Sequence, residues 1–222
     1  MQPRFLVAVA LWVVLVAGPA RAQFYAGFVG GVATLSGDAR SLVGPSATEF
    51  SSYNATNGPV LNPLVGKHLN DFVSVQGEYL WNRNPLVLSA GAFTVGSTAA
   101  YQEERSSSQS SVFGSVLVYF RPRESRVRPY LSVGTGWVHF ASTVKNLNIA
   151  QGAAPIPPNA FSADMIGLRV PVGIDLTLHR GWRFRYSFAE TITRNPISHE
   201  LDPAGPHSLK NFQNLFGIVR EF

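Results

Sequence analysis

His139 and Ser142 are the two neighbouring residues with the strongest claim to catalytic chemistry in this chain. A serine nucleophile needs a histidine base within hydrogen-bond reach and an acid that orients the base. A spacing of three residues places two side chains on opposite faces of a continuous strand. We therefore expect His139 to be an interfacial residue near one rim of the molecule, and we predict no enzyme activity.

Residues 199–207, HELDPAGPH, bring two histidines and two carboxylates into one short segment. A metal site needs such ligands at a spacing that lets them converge on one ion, and this segment has no such spacing. Its proline and glycine residues favour a solvated loop. We predict neither a metal site nor a cofactor.

Six charged residues lie inside runs in which polar and apolar side chains alternate. The acids are Glu78, Asp175 and Glu221, and the bases are Arg169, Arg183 and Arg185. If the polar faces of these runs share one interior, the charges must pair there, because buried charges need partners. We predict a cluster of ion pairs in a lumen, with Arg185 within reach of Asp175 and Glu221.

The runs that carry these charges have the period of a β-strand. Between residues 166 and 178 every second residue is Ile, Leu or Val, and the other face holds Gly, Arg, Pro, Asp and Thr. Residues 182–188 and 73–81 repeat the pattern with aromatic side chains. We predict eight strands, at residues 24–35, 59–67, 72–82, 111–120, 129–141, 164–178, 182–192 and 209–222.

The gaps between the predicted strands alternate between long and short without exception, at about 23, 4, 28, 8, 22, 3 and 16 residues. The long gaps are rich in turn formers, whereas the short gaps are compact and charged. Outer-membrane barrels have long outer loops and short periplasmic turns. We therefore predict an all-β chain that forms an eight-stranded, antiparallel, up-and-down transmembrane barrel with both termini in the periplasm.

The first 22 residues have the pattern of a secretory signal peptide. Arg4 precedes an apolar block at residues 5–18, and Ala20-Arg21-Ala22 forms a cleavage site. We predict a signal peptide at residues 1–22 and a barrel at residues 23–222, exported to the bacterial outer membrane.

Charged residues make up 14% of the chain and the formal net charge is +5, a balance that does not favour nucleic acid as a partner.

Aromatic residues near strand ends are expected at the two lipid–water interfaces of a membrane barrel. We assign this role to Tyr79, Trp81, Tyr119, Trp137 and Trp182. One short gap also holds four arginines, which either bind lipid headgroups or keep an exposed hairpin soluble: Arg121, Arg123, Arg126 and Arg128. Outer-membrane lipids are therefore predicted partners.

Three stretches carry a family resemblance: GKHLND followed by FVSVQGEYLWNRN, then RPYLSVGTGWVHF, then IGLRVPVGIDLTLHRGWRFRYSF. Together they resemble the small bacterial outer-membrane β-barrel family of the OmpA-like type. The resemblance implies a C-terminal signal that the barrel-insertion machinery reads. Gly217 and Phe222 match this signal, and Arg220 stands where the family has an aromatic residue.

These patterns predict a structural role, or a role in which four long outer loops recognise or adhere to an extracellular ligand, around a lumen closed by ion pairs. Two alternatives stay open: a narrow passive pore for small solutes, and an enzyme that modifies lipids of the outer leaflet. A soluble barrel of the lipocalin type would turn its apolar faces inward, and it would leave the alternating gap lengths unexplained.

Overall fold

The computed structural model describes residues 24–35, 39–43, 49–94, 97–150, 159–196 and 208–222. They form ten strands: β1 Phe24–Leu35, β2 Ala39–Val43, β3 Glu49–Ala55, β4 Asn57–His68, β5 Val73–Thr94, β6 Ser97–Tyr119, β7 Val127–Ala150, β8 Ala160–His179, β9 Trp182–Arg194 and β10 Ser208–Glu221. No helix long and apolar enough to cross a membrane occurs among these residues. The predicted signal peptide and the segment 199–207 lie outside them.

Eight of the strands close into a ring, in the order β1, β4, β5, β6, β7, β8, β9, β10 and back to β1. Every neighbouring pair is antiparallel. The closing ladder runs from Tyr25 opposite Glu221 to Leu35 opposite Asn211. The last strand of the chain therefore supplies the backbone partners that an open sheet edge would lack. The predicted all-β, eight-stranded antiparallel barrel is confirmed.

The ring strands turn apolar side chains outward, and the buried charged and amide side chains point inward, where they lie beside buried apolar residues such as Val29, Leu64 and Leu215. Along β8, Leu168 and Val172 are exposed, whereas Arg169 and Asp175 are buried. This is the polarity predicted for residues 164–178, and it is opposite to the lipocalin arrangement. Along β5 the apolar outer face runs from Val73 to Trp81, a length that suits the roughly 9–11 residues of a membrane-spanning strand. We call this outward apolar surface of the ring the apolar belt.

Three ring strands continue well beyond the apolar belt. β5, β6 and β7 have 22, 23 and 24 residues, about twice the length that crosses a bilayer. β3 pairs with the far part of β5, and β2 pairs with β3. We call this projection the outer sheet; it consists of β2, β3 and residues 83–94, 97–109 and 141–150.

The outer sheet corrects the prediction that residues 83–110 form one long loop. Residues 100–110 belong to β6 and pair with both β5 and β7, with one register shift against β7 between Glu104 and Arg105. Their sequence is polar on both faces, so it lacks the apolar alternation from which the strands were predicted. The predicted loops at residues 36–58 and 142–163 likewise contain strand residues, from β2, β3, β4, β7 and β8.

Short turns lie at the end of the ring opposite the outer sheet. β4 and β5 are joined by residues 69–72, β6 and β7 by 120–126, and β8 and β9 by 180–181. Arg180 and Gly181 have φ angles of 44° and 82°, as the type I′ hairpin turn requires. The first strand begins and the last strand ends here, where Phe222 N donates a hydrogen bond to Phe24 O at 3.0 Å. We call this end of the ring the turn end.

Candidate functional site

The ring encloses the six charged residues that the sequence singles out. They form three acid–arginine pairs along the barrel, with N–O distances of 3.0, 2.7 and 3.0 Å: Arg183–Glu221, Arg185–Asp175 and Arg169–Glu78. The first pair lies at the turn end, and the other two follow towards the middle of the ring. The Arg185–Asp175 and Arg169–Glu78 side chains are at most 3% exposed. Charges this deeply buried need both a partner and further hydrogen bonds.

Arg185 is the centre of the second pair. Its Nε and Nη2 donate to the two oxygens of Asp175, each at 2.7 Å. Its Nη1 donates to Gln76 Oε1 at 2.7 Å, and Nη2 also lies 3.0 Å from Tyr119 Oη. The planar guanidinium thus uses its fixed fork of donors to link β9, which carries Arg185, to three other strands of the ring.

Arg169 is the centre of the third pair, nearer the middle of the barrel. Its Nε donates to Glu78 Oε1 at 3.0 Å, and its Nη1 donates to Thr191 Oγ1 at 3.1 Å and to Gln213 Oε1. Glu78 also accepts hydrogen bonds from Asn62 Nδ2 at 3.0 Å and from Ser115 Oγ at 3.3 Å. Both charges therefore have neutral partners besides each other.

Glu221 has a different partner from the one predicted. We predicted Arg185 within its reach, but the carboxylate is bound by Arg183, whose Nη2 donates to Oε2 at 3.2 Å. The register explains the difference, because Arg185 lies opposite Gly217, four residues before Glu221. His68 Nε2 lies 2.9 Å from Glu221 Oε1 and Arg123 Nη2 lies 3.5 Å from Oε2. The turn end of the lumen is thus closed around this one carboxylate.

Tyr119 is not an interfacial residue as predicted. Its side chain is 2% exposed and points into the lumen, where its hydroxyl donates to Asp175 Oδ2 at 3.1 Å. The physical reason is strand parity: Tyr119 shares a face with Ser115, which contacts Glu78. Trp137 and Trp182 are exposed on the outer face of the ring. Tyr79 and Trp81 lie half-buried on that face.

The lumen beyond the third pair is filled by amides and then by apolar side chains. Asn211 Nδ2 donates to Asn82 Oδ1 at 3.2 Å, and Asn82 Nδ2 donates to Asn84 Oδ1 at 2.7 Å. The apolar side chains beyond them are Leu35, Leu86, Leu88, Phe140 and Leu209. Between the second and third pairs lies a cavity of about 10 Å³, the space that a single water molecule needs.

A fourth ion pair, which the sequence reasoning missed, lies in the outer sheet. Arg105 Nη1 lies 2.6 Å from Glu103 Oε2, and both side chains are fully buried. Arg105 Nε also donates to Ser142 Oγ at 3.0 Å, and its guanidinium lies 4.8 Å from the centre of the Phe161 ring. The sequence does contain a signal for this pair, because Glu103 and Arg105 are two residues apart and so lie on the same face of a strand. The pair was missed because both residues lie in the segment predicted to be a loop.

His139 and Ser142 lie on opposite faces of β7. Ser142 is buried against Arg105 and Ser107. His139 points outward, and its Nδ1 lies 2.8 Å from Asp164 Oδ1 on β8. The two residues are therefore not brought together as a nucleophile and its base.

The four arginines predicted to share one short gap divide into two groups: Arg121, Arg123 and Arg126 lie in the turn between β6 and β7, and Arg128 lies at the start of β7. Arg128 is buried, with its guanidinium 3.8 Å from the centre of the Tyr119 ring and its Nη2 donating to Asp71 O at 2.7 Å. Arg123 reaches Glu221, as described above. Arg121 and Arg126 are exposed. Two of the four side chains thus close the lumen, and two remain at the surface.

One family model and several solved structures are similar to this chain. A family model described as outer membrane protein beta-barrel domain matches residues 6–215. Among solved structures, the chain is similar to Neisserial surface protein A, at 12% identity and a TM-score of 0.48, over 90% of this chain and 97% of that chain. It is similar to Ail, the attachment invasion locus protein of Yersinia pestis, at 11% identity and a TM-score of 0.45, over 90% and 99%.

A third similar structure is the outer membrane protease OmpT from Escherichia coli, at 9% identity and a TM-score of 0.43, over 90% of this chain and 97% of that chain. No curated protein sequence gave a significant match to this chain.

Proposed function

This chain belongs to the family of outer membrane protein beta-barrel domains, and on that premise we propose that it is a closed barrel that presents the outer sheet and its loops at the cell surface. Membership of this family implies the bacterial outer membrane. In our proposal the turn end and both termini face the periplasm, since barrels of this kind have their short turns on that side. The outer sheet then stands outside the membrane, where it takes a structural or adhesive role.

The observation that carries this proposal is the filling of the lumen. Three ion pairs, an amide layer and an apolar cluster follow one another along the ring, and they include side chains from strands on opposite sides of it: Arg185 of β9, for example, donates to Gln76 of β5. An eight-stranded ring is just wide enough for side chains to fill. A passive pore, the alternative, would need a continuous aqueous path past all of these groups.

The length of the outer sheet supports a role at the surface. A barrel that only had to cross the membrane would end its strands near the apolar belt, yet β6 and β7 continue well beyond it. Outward side chains on these extensions are polar and exposed, as at Gln102, Glu104, Lys145 and Asn146. A rigid polar sheet of this kind suits recognition of an extracellular ligand better than a flexible loop does.

Single-channel recording in planar bilayers tests the closed lumen. We expect the purified barrel to give no steady conductance at neutral pH, because the three lumen pairs must separate before ions can pass. Replacing Arg169 and Arg185 together with serine should open a path and give measurable conductance. Steady, large conductance from the unaltered protein would contradict the proposal and favour the pore.

The surface role needs a separate experiment. The far parts of β5 and β6 are residues 85–94 and 97–106, and Asn84 lies opposite Ser107. A two-residue Asn-Gly turn can therefore replace residues 85–106 in register. Cells with equal surface amounts of the intact and shortened barrels are compared for attachment to one another and to a solid surface. We expect attachment to fall with the shortened barrel. Equal attachment would leave a purely structural role.

A further inference from the structure

Three residues of complementary chemistry form one row across the outer face of three neighbouring strands. Ser110 on β6 lies directly opposite His139 on β7, and His139 lies directly opposite Asp164 on β8. His139 Nδ1 is 2.8 Å from Asp164 Oδ1. The side chains of His139 and Asp164 are 37% and 62% exposed. The row is thus accessible from outside the barrel, and the lumen pairs described above have no part in it.

The row lies where the apolar belt ends. The next outward-facing row towards the turn end consists of Val112, Trp137 and Ile166, all of them exposed. The next row in the other direction is small and polar, with Ser108 opposite Ala141 and Ala141 opposite Ser162. Hydrocarbon therefore meets polar headgroups at the depth of His139. Ester bonds of membrane lipids lie at this same depth, between the acyl chains and the headgroups.

The arrangement assigns a role to each ring nitrogen of His139. Asp164 at Nδ1 fixes the tautomer that carries its proton there, which leaves Nε2 as the base. Ser110 supplies a hydroxyl on the other neighbouring strand, and directly opposite residues have Cβ atoms only about 5 Å apart. A Ser–His–Asp triad is recognised by such roles, and its members need no fixed order in the sequence.

We propose that Ser110, His139 and Asp164 form a hydrolytic site that cleaves ester-linked acyl chains from lipids of the outer leaflet. This activity goes beyond the presentation role proposed above and does not depend on it. Ser110 is the nucleophile, His139 the general base and acid, and Asp164 the residue that orients His139. The register places Ser110 opposite His139. In our proposal the serine hydroxyl comes within hydrogen-bond reach of Nε2 when lipid binds, because catalytic hydrogen bonds often tighten only in the complex with substrate.

The reaction uses only the lipid and water. Ser110 Oγ attacks the ester carbonyl carbon while His139 Nε2 takes the hydroxyl proton. The C–O bond to the alcohol then breaks, and His139 gives the proton to the leaving oxygen. Water, activated by the same nitrogen, attacks the acyl-serine ester. The fatty acid leaves, Ser110 regains its proton, and the deacylated lipid remains in the membrane.

Residues beside the row select the substrate class. Trp81 lies opposite Ser110 on β5 and Arg83 lies opposite Ser108; the Arg83 Nε donates to Ser106 Oγ at 2.9 Å. The guanidinium therefore lies just outside the row, on its polar side, where it can bind a phosphate. Acyl chains would extend the other way, along Trp137. The site therefore fits an acyl ester close to a phosphate, a chemistry shared by phospholipids and lipopolysaccharide.

The test uses the purified, folded barrel in vesicles. One arm contains phosphatidylethanolamine and phosphatidylglycerol, and the other also contains lipopolysaccharide, and released fatty acid is measured in both. Release from the first arm assigns phospholipid, and release confined to the second assigns lipopolysaccharide. A fluorophosphonate probe, followed by peptide mass analysis, identifies the reactive serine, which we expect to be Ser110.

Variants separate the roles. Ser110→Ala and His139→Gln should each lower the rate of release at least about 1,000-fold, and Asp164→Asn about 100-fold or more. Arg83→Gln should raise KM with little change in kcat. Ser108→Ala, two residues along the same face, is the matched control and should leave release unchanged. Heat-modifiable gel migration checks that every variant is folded. No release from either arm, or equal release by Ser110→Ala, would overturn the proposal.

Discussion

Arg185 and Asp175 face each other across β9 and β8, and the guanidinium donates one hydrogen bond to each carboxylate oxygen, at 2.7 Å in both cases. Two aromatic rings enclose the pair: the guanidinium lies 5.5 Å from the centre of the Tyr25 ring and 5.0 Å from that of Tyr130. Such a bidentate pair, shielded from water, is strongly sensitive to the loss of either partner.

Asp175→Asn should therefore destabilise the barrel severely. The substitution keeps the size of the side chain but leaves the Arg185 charge buried without its carboxylate. We expect the free energy of unfolding to fall by about 3–5 kcal/mol, as for other broken buried pairs. Urea titration in detergent micelles, with the folded fraction read from gel migration without boiling, measures this change.

The control removes both charges. Asp175→Leu combined with Arg185→Met leaves no unpaired charge, so the double variant should lose less stability than Asp175→Asn alone. If the single variant lost less than about 1 kcal/mol, well below the range for a buried pair, the lumen would be wet enough to solvate Arg185. The closed-barrel proposal would then fail as well.

Gly66→Ala should also destabilise the barrel, for a steric reason. Gly66 on β4 lies directly opposite Tyr25 on β1, and a Cβ on Gly66 would lie inside the space of the Tyr25 ring. Overpacking of this kind costs about 1–3 kcal/mol. The same urea titration measures it.

Two comparisons make this prediction specific. Gly114→Ala on β6 is the matched control, because a Cβ there meets nothing within 4 Å, and we expect little change in stability. In a Tyr25→Ala background the effect of Gly66→Ala should largely disappear, since the clashing ring is gone. An equal loss in both backgrounds would show that the ring of Tyr25 is not what excludes the methyl group.

The sequence predicted some of these contacts and missed others, for identifiable reasons. Around Arg169 and Asp175 every second residue is apolar. The sequence alone therefore predicts which residues of β8 face outward and which face the lumen. An aromatic residue at a strand end is compatible with both the lipid interface and a lumen. The prediction for Tyr119 was wrong because it rested on residue type and position alone. The partner of Glu221 depends on the register between β9 and β10, which sequence periodicity does not determine. The Glu103–Arg105 pair lies where both faces of a strand are polar.

Limited proteolysis distinguishes the outer sheet from the long loop that the sequence suggests. Arg105 is fully buried in β6 and pairs with Glu103, and a protease must extract several residues from the ladder to cleave there. We expect trypsin to leave the bond after Arg105 intact in the folded barrel in vesicles, and to cut it after boiling in detergent. Rapid cleavage in the folded protein would mean that residues 100–110 do not form a stable strand.

Phe222→Ala should impair assembly in cells more than it impairs stability. The Phe222 ring is 56% exposed on the outer face, so its loss removes little packing, and the free energy of unfolding should change by less than about 1 kcal/mol. Phe222 nevertheless directly follows the strand that closes the ring, at the position where the insertion machinery is expected to read a terminal aromatic residue. We expect the heat-modifiable fraction in cell envelopes to fall several-fold, while refolding of the purified chain in detergent is nearly unchanged.

Phe120→Ala is the matched control, since Phe120 is 63% exposed beside another short turn but lies outside the last strand. An equal defect from Phe120→Ala would show that assembly depends on apolar surface at the turn end in general, with no special role for the terminal residue.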